Sequence, residues 1–311
     1  MDVLIPQNDA HSRRVFLAGA AGVSVGLAWP VRGFEVTRSM LQGRDFQSAG
    51  LAHYALHDYR LTPEMLKAIN YGLAKLIRDH QNVFNRQTSA GFHVRYRIFG
   101  RFADYKKFSA IVYRKEIPRN LLGYFSPRGR EIVTWRQQVT WRLLPTLLHE
   151  GSHAIMHDLF GQLPFWMVEG SADWFGEPAW IEGLDLKRDK QRRWLRLEAM
   201  RRRGGLPKMR DYLVSRSYGE WSKMFKSNIG LGYDVGWSIF DFFMSHPQST
   251  KFLAFVVNNR ASREANRRGT TQEAIFAGFI DKHWPGGMGL FQKGWHSWIQ
   301  LKAKNTSSTG P

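Results

Sequence analysis

The chain has 311 residues, of which 43% are hydrophobic and 14% are aromatic, which indicates a globular protein with a substantial core, in one two-lobed domain or two small domains. It contains no cysteine, so disulfides, thiolate metal sites and cysteine nucleophiles are excluded, and any metal must be held by His, Asp or Glu. The formal net charge of +19 favours anionic partners but does not choose among nucleic acid, lipid head groups and an acidic polymer.

The N-terminus resembles a twin-arginine export signal. Arg13 and Arg14 precede a weakly apolar stretch, rich in Gly and Ala, at residues 18–28, and the whole of residues 15–28 is shorter than the ~20 residues of a membrane span. The resemblance implies that residues 1–28 are a cleaved signal peptide, and that the mature protein is periplasmic or secreted and is not an integral membrane protein. An uncleaved membrane anchor and a disordered basic tail are the alternatives for this segment.

The next part of the chain predicts a β-α-β opening followed by two paired strands. Apolar residues recur at helical spacing in residues 63–84, and residues 92–99 alternate as in a half-buried strand. The predicted elements in chain order are a strand at residues 53–59, that helix, that strand, a short helix at residues 104–111, and strands at residues 121–125 and 130–135 joined by a turn.

Two further helices are predicted around a group of polar residues. Apolar residues recur at helical spacing between residues 144 and 159, and Gly161 and Pro164 supply stop signals. A second helix is expected at residues 165–175. Beyond residue 176 the chain is strongly basic and then contains apolar clusters, which predicts a mainly helical second lobe whose arginine clusters face solvent.

His149, Glu150 and His153 form the pattern H-E-x-x-H. On a helix, residues four apart are separated by about 40° in projection, so both imidazoles face one ion, whereas Glu150, roughly 100° from His149, can reach water beside that ion. A catalytic zinc site needs a third protein ligand and one open position. Glu169, on the next predicted helix, is the candidate third ligand for one Zn²⁺ per chain.

The two helices together resemble the gluzincin class of zinc metallopeptidases. Residues 149–153 match its first motif, and residues 166–172 are similar to its second, W-x-x-E-G-x-A, whose glutamate is the third ligand. Glu169 and Asp173 have the E-x-x-x-D spacing of thermolysin-like members, and residues 123–126 resemble a segment of bacterial peptidase-MA-like domains. The similarity covers about residues 51–298.

This resemblance implies an α+β, zincin-like fold. A small mixed sheet and the two active-site helices would form an N-terminal lobe at residues 34–176. A mainly helical C-terminal lobe would follow at residues 177–301, and residues 302–311 would be a disordered tail. An extended substrate would pair with the strand at residues 130–135, taken as an edge of the sheet.

The resemblance also implies roles for individual side chains. Asp173 would hydrogen bond the distal ring nitrogen of His149 and fix its tautomer. Glu150 would accept the proton of the attacking water and pass it to the leaving amine, and Tyr233, in a Y-x-x-G segment, would stabilise the oxyanion. The implied activity is hydrolysis of peptide bonds in a polypeptide or in the peptide part of peptidoglycan.

Each assignment has a simpler alternative. The H-E-x-x-H residues could be a polar helix face, although the leucines beside them are unusual at a surface. Glu169 could be a carboxylate favoured by a helix N-terminus, and Asp173 a surface or packing residue. Tyr233 could be a packing aromatic whose role falls to Tyr212 or Tyr218.

Two other functions fit the whole chain. A non-catalytic zinc-containing module could bind an anionic envelope polymer or protein through its basic, Trp-rich surface, and a peptidoglycan amide hydrolase could use the same zinc chemistry. Nucleic acid is not expected as a partner, because no nucleic-acid-binding motif accompanies the arginine clusters.

Overall fold

A computed structural model describes residues 34–137, 142–177, 186–258 and 271–307. The predicted signal peptide at residues 1–28 and the end of the predicted tail, residues 308–311, lie outside the described residues. Among the helices described, none combines the length and the apolar character needed to cross a membrane.

The fold of the described residues is α+β, as predicted, with one small mixed sheet whose strands alternate with helices and are followed by a series of helices. The strands are β1 Gln47–Ala49, β2 Ala52–His57, β3 Val94–Phe99, β4 Gly123–Ser126 and β5 Glu131–Trp135. The helices of the described residues are α1 Arg38–Leu41, α2 Pro63–Phe84, α3 Phe102–Tyr113, α4 Leu143–Phe160, α5 Phe165–Phe175, α6 Leu186–Arg202, α7 Met209–Leu213, α8 Tyr218–Met224, α9 Ile229–Met244, α10 Pro247–Asn258, α11 Gln272–His283 and α12 Gly287–Ser307.

The strand order in the sheet is β1-β2-β3-β5-β4. β2 and β3 are parallel neighbours, with Ala52 opposite Val94, as a connection through a helix requires. The predicted β-α-β opening is therefore confirmed. β5 is parallel to β3, whereas β1 and β4 are antiparallel to their neighbours.

The prediction that residues 130–135 form a sheet edge is wrong. β5 pairs with β3 on one side and with β4 on the other, so the ladders already use its backbone hydrogen-bonding groups. The cause is the tight turn after Ser126, which folds β4 against β5 as an antiparallel hairpin. In that turn the Gly129 N–H donates to Ser126 Oγ at 3.3 Å and Arg130 has a φ of 46°.

The described residues divide into two compact units. The first contains the sheet and takes in the chain up to Asn70 together with His93–Leu147, and the second contains Tyr71–Phe92 and the chain from Leu148 onward. The H-E-x-x-H residues and Glu169 both belong to the second unit, so the predicted lobe boundary at residue 176 does not coincide with this division. The physical reason is that α5 packs along α9, which joins it to the C-terminal helices.

A buried arginine organises the first unit. Arg97 on β3 has no exposed surface, and its guanidinium bonds Asp45 and, through Nε at 3.1 Å, Glu131. Its guanidinium carbon lies 4.7 Å from the ring centre of Phe108 on α3. The two carboxylates compensate a charge removed from water, and the contact with Phe108 packs α3 against the sheet. An apolar cluster completes this core: Phe99, Tyr105, Phe108, Ile117, Tyr124 and Val133.

The helix α12 enters the segment predicted to be a disordered tail. Ala303 is buried, and Lys302 forms an ion pair with Asp241 at 3.3 Å and lies over the ring of Trp298. These contacts stabilise the last turns of the helix. Residues 302–307 are therefore helical rather than disordered.

The crossing of α5 and α9 in the second unit depends on two glycines. A Cβ on Gly170 would lie 2.5 Å from the backbone carbonyl oxygen of Gly236, and a Cβ on Gly236 would lie 3.2 Å from that of Trp166. Backbone atoms of a packed helix cannot move aside as the end of a flexible side chain can. The two helix axes can therefore be this close only while both positions lack a side chain.

We predict that Gly170→Ala destabilises the protein by about 1–3 kcal/mol or more, because the added methyl overpacks the crossing. Gly278→Ala is the matched control: Gly278 lies within α11, a Cβ there would meet nothing within 4 Å, and alanine should stabilise the helix by about 0.5–1 kcal/mol. Denaturant unfolding of the two variants measures the difference. Equal changes in both variants would contradict the close crossing.

Candidate metal centre

The two predicted motif helices and the turn between them are confirmed. Pro145 stands in the first turn of α4, where a proline has no helical hydrogen bond to lose. Gly161, with a φ of +73°, ends α4 by donating its N–H to the carbonyl of His157 at 2.7 Å. α5 then begins directly after Pro164.

One face of α4 brings His149, Glu150 and His153 together. One possible ligand atom from each lies within 4.8 Å of the other two. The two imidazole rings stand edge to face with their centroids 4.8 Å apart. Glu150 and His153 are buried, and the side chain of His149 is 13% exposed. This buried group could hold a metal ion.

α5 adds the carboxylate of Glu169 to this group. Its Oε2 is 3.6 Å from Nε2 of His149, and its Oε1 is 3.9 Å from Nε2 of His153. Atoms bound tetrahedrally to one zinc ion at about 2.0–2.2 Å lie roughly 3.3–3.6 Å apart, so these separations are close to those of ligands that share an ion. Glu150 approaches the same group with its Oε2 3.8 Å from Nε2 of His153.

A glycine at the end of α5 allows this helix to reach α4. A Cβ on Gly176 would lie 3.0 Å from the Cα of His149 and 2.5 Å from the carbonyl oxygen of Ala172. The contact with Ala172 is within α5, but the contact with His149 is with the backbone of α4, so a larger residue would push the two helices apart. The approach of Glu169 to the histidines thus depends on the absence of a side chain at this position.

Asp173, one turn after Glu169 on α5, lies against the other nitrogen of His149. Its Oδ1 is 3.1 Å from Nδ1 of that ring. A proton on Nδ1, shared with the carboxylate, leaves Nε2 as the nitrogen that can bind an ion. Nε2 is also the atom that faces Glu169. The structure therefore brings Asp173 to the nitrogen for which the sequence predicts a hydrogen bond.

Tyr218, one of the three candidate tyrosines, contacts the group. Its hydroxyl donates to Oε1 of Glu169 at 2.7 Å, and its side chain is 37% exposed. Tyr233 packs beside it, with the two ring centroids 5.9 Å apart. Tyr212 is fully buried and donates to the carbonyl of Gly232, and burial raises the pKa of its hydroxyl well above the usual value.

The basic helix α6 also contributes to the group, which corrects the prediction that its arginines face solvent. Arg193 is buried, and its Nη2 donates to Oδ2 of Asp173 at 2.7 Å. Its Nε lies 3.4 Å from Oδ1 of Asp234 on α9. Burial alone would lower the pKa of Arg193, but the carboxylates of Asp173 and Asp234 outweigh this effect and raise it above its ordinary value.

A buried histidine on α2 contacts the H-E-x-x-H segment. The Nε2 of His80 on α2 is 3.0 Å from the hydroxyl oxygen of Ser152, which lies inside H-E-x-x-H, and its Nδ1 is 2.7 Å from the carbonyl oxygen of Leu76. Its ring stacks on Phe175 of α5 with centroids 3.9 Å apart. Burial lowers the pKa of His80 to about 4, although the bond to Leu76 opposes the shift.

Sequence reasoning missed three residues of this arrangement: His80, Arg193 and Asp234. A signal for Arg193 was present, because it shares the buried face of α6 with Trp194 and, one turn later, Leu197. Asp234 stands next to Tyr233 in the Y-x-x-G segment, where only the tyrosine was considered. For His80 the sequence offers no signal, because its partner Ser152 is remote in the chain.

Comparison with models of known protein families and with curated proteins gives no match for this chain. Its function must therefore be inferred from the geometry of its own residues.

The stability of the protein is predicted to fall between pH 6.5 and pH 4 through His80. The unfolded chain binds a proton at this residue below its ordinary pKa of 6.5, whereas the folded chain does so only below about 4. Between these values the unfolded state binds more protons, so acidification destabilises the fold by about 3 kcal/mol at most. Denaturant unfolding with chelator present should show a smaller loss in His80→Gln than in the wild type. An identical pH dependence in both would contradict a neutral, buried His80.

Proposed function

We propose that this protein is a zinc-dependent hydrolase of peptide bonds, of the gluzincin kind suggested by its two motifs. The observation that carries the proposal is the convergence of three donors from two helices. His149 and His153 come from α4 and Glu169 comes from α5, and the carboxylate lies 3.6 and 3.9 Å from the two Nε2 atoms. The zincin-like interpretation of the α+β fold belongs to the same proposal.

The chemistry of the donor set fits zinc. Two imidazole nitrogens and one carboxylate are a combination that catalytic zinc sites use, with a fourth position left for water or substrate. A cation among these groups would also offset the charge of the buried carboxylates of Glu150 and Glu169, which are 3% and 5% exposed. Bound there, zinc supplies Lewis acidity, which polarises a carbonyl and lowers the pKa of water towards ~7.

Glu150 is the proposed general base. It follows His149 directly, and its Oε2 lies 3.8 Å from Nε2 of His153. From this position it accepts a proton from the water that attacks the carbonyl carbon, and then donates that proton to the leaving amine nitrogen. Glu150 also offers an oxygen within 4.8 Å of a ring nitrogen of each histidine, but Glu169, at 3.6 and 3.9 Å from the two Nε2 atoms, is the proposed third metal ligand.

A tyrosine hydroxyl is proposed to stabilise the oxyanion. Tyr233 is the residue that the Y-x-x-G resemblance suggests, but the hydroxyl of Tyr218 already lies at the donor set, 2.7 Å from Oε1 of Glu169. Tyr218 is therefore a second candidate donor, with Tyr233 packed against its ring. Asp173 keeps His149 in the tautomer that presents Nε2.

Location and substrate class are proposed on the sequence alone. The twin-arginine signal supports export to the periplasm, where polypeptides or the peptide part of peptidoglycan would be the substrates. The basic surface supports contact with an anionic envelope polymer, since the net charge is +19.

Two glutamine variants separate the proposed roles. Glu150→Gln should keep zinc but lower peptide hydrolysis by roughly 10²–10⁴-fold, because an amide cannot accept the water proton. Loss of a residue that hydrogen bonds a metal ligand typically weakens metal binding by roughly 10–100-fold. Glu169→Gln should weaken zinc binding by more than this, because Glu169 is itself a proposed ligand. Zinc affinity is measured by chelator competition, and hydrolysis by mass spectrometry of a peptide mixture.

The opposite pattern, in which Glu150→Gln loses zinc and Glu169→Gln keeps it, would exchange the two roles. Undiminished hydrolysis by Glu150→Gln would remove this residue from the reaction. Purified sacculi are assayed in parallel, and cleavage of sacculi without cleavage of polypeptides would identify a peptidoglycan amide hydrolase instead. Zinc binding without hydrolysis of either substrate would favour a non-catalytic module.

A further inference from the structure

A chain of alternating charges leads away from the candidate metal centre. The Nδ1 of His149 is 3.1 Å from Oδ1 of Asp173, and Oδ2 of Asp173 accepts from Nη2 of Arg193 at 2.7 Å. The Nε of Arg193 is 3.4 Å from Oδ1 of Asp234, and Asp234 accepts in turn from Nε and Nη2 of Arg196 at 2.8 and 3.1 Å. The chain joins α4, α5, α6 and α9, and it ends at the partly exposed Arg196.

The middle of this chain of alternating charges, Arg193 and Asp234, is held rigidly. Arg193 is 5% exposed and Asp234 is 3% exposed. The guanidinium carbon of Arg193 lies 5.0 Å from the ring centre of Trp237, and that ring packs against Trp194 with centroids 4.7 Å apart. A planar guanidinium that contacts two carboxylates and an aromatic ring has little freedom to reorient.

We propose that Arg193 is a positioning residue for the metal centre: it holds the carboxylate of Asp173, and through that carboxylate it fixes the ring orientation and tautomer of His149. The inference rests on the proposed function in so far as His149 is a metal ligand. Arg193 itself touches neither metal nor substrate.

Both oxygens of Asp173 are needed for this role. Oδ1 can direct the His149 ring only while the carboxylate plane is fixed, and the bond from Arg193 to Oδ2 provides the second point that fixes it. Arg193 also balances the negative charge of Asp173 in a site shielded from water, where an unbalanced carboxylate is costly. A lysine would keep the charge, but a single ammonium cannot reproduce the planar fork that reaches Asp173 and Asp234 together.

The test compares Arg193→Gln and Arg193→Lys with Arg192→Gln in the full-length protein. Arg192 precedes Arg193 on α6, and among the described residues it forms no ion pair. Arg192→Gln therefore makes the same charge change without removing a contact from the chain of alternating charges. We expect zinc dissociation constants raised about 10–100-fold in Arg193→Gln, less in Arg193→Lys, and less than about twofold in Arg192→Gln.

A second readout needs no metal. In metal-free wild type, ¹⁵N NMR should find neutral His149 protonated on Nδ1. Arg193→Gln should show a mixture of the two tautomers, whereas Arg192→Gln should match the wild type. A merely structural role for Arg193 would lower the thermal stability of the variant without changing the tautomer of its folded form.

The outcomes are separable. If the wild type binds zinc and both Arg193 variants bind it as tightly as Arg192→Gln, the positioning role is overturned. If the wild type binds no zinc, the proposed function fails, and the tautomer measurement still decides the role of Arg193. Should Arg193→Gln fail to fold, Arg193→Lys decides, and an unchanged zinc affinity together with an unchanged tautomer would refute the proposal.

Discussion

Burial of carboxylates is the constraint on which the second unit depends. Glu150, Glu169, Asp173 and Asp234 are each 9% exposed or less, and a carboxylate removed from water is stable only with donors or cations around it. The surrounding helices supply them: Glu169 meets two imidazoles and a tyrosine hydroxyl, and Asp173 meets an imidazole and a guanidinium. Helices from distant parts of the chain are thus required to meet at one place. A divalent cation among the same groups would complete this balance of charge.

Small residues make that meeting possible. Gly170 and Gly236 allow α5 and α9 to cross with their backbones in contact, and Gly176 allows the end of α5 to approach the backbone of His149. These glycines act through close packing, which is sensitive to a single methyl group. The position of Glu169 and Asp173 beside the histidines therefore follows from backbone shape as well as from charge. His80 supports the same motif from α2, through its contact with Ser152.

The parts of the site that the sequence predicted are those that depend on local spacing. Two histidines four apart on a helix must share a face, and Glu169 and Asp173 share a face for the same reason. The turn at Gly161 and the β-α-β opening likewise follow from signals within a few residues. The burial of Arg193 was harder to predict, because a basic helix usually faces solvent. The partners of Arg193, Asp173 and Asp234, come from α5 and α9.

Other differences between prediction and structure have the same non-local origin. Strand β5 is an interior strand because, besides its hairpin partner β4, it pairs with β3, which is more than 30 residues earlier in the chain. Tyr218 contacts Glu169, and no spacing rule relates α8 to α5. In the last turns of α12, Lys302 forms an ion pair with Asp241 of α9. In each case tertiary contacts, which no local pattern specifies, decided the outcome.

The most direct test of the central claim is the metal content of the protein, purified without chelator and measured by elemental mass spectrometry beside a His149→Ala/His153→Ala variant. We expect about one zinc per chain in the wild type, as for a single three-ligand site, and none in the variant. Absence of zinc from the wild type even after zinc is added, or equal zinc in both proteins, would contradict a metal centre at these histidines.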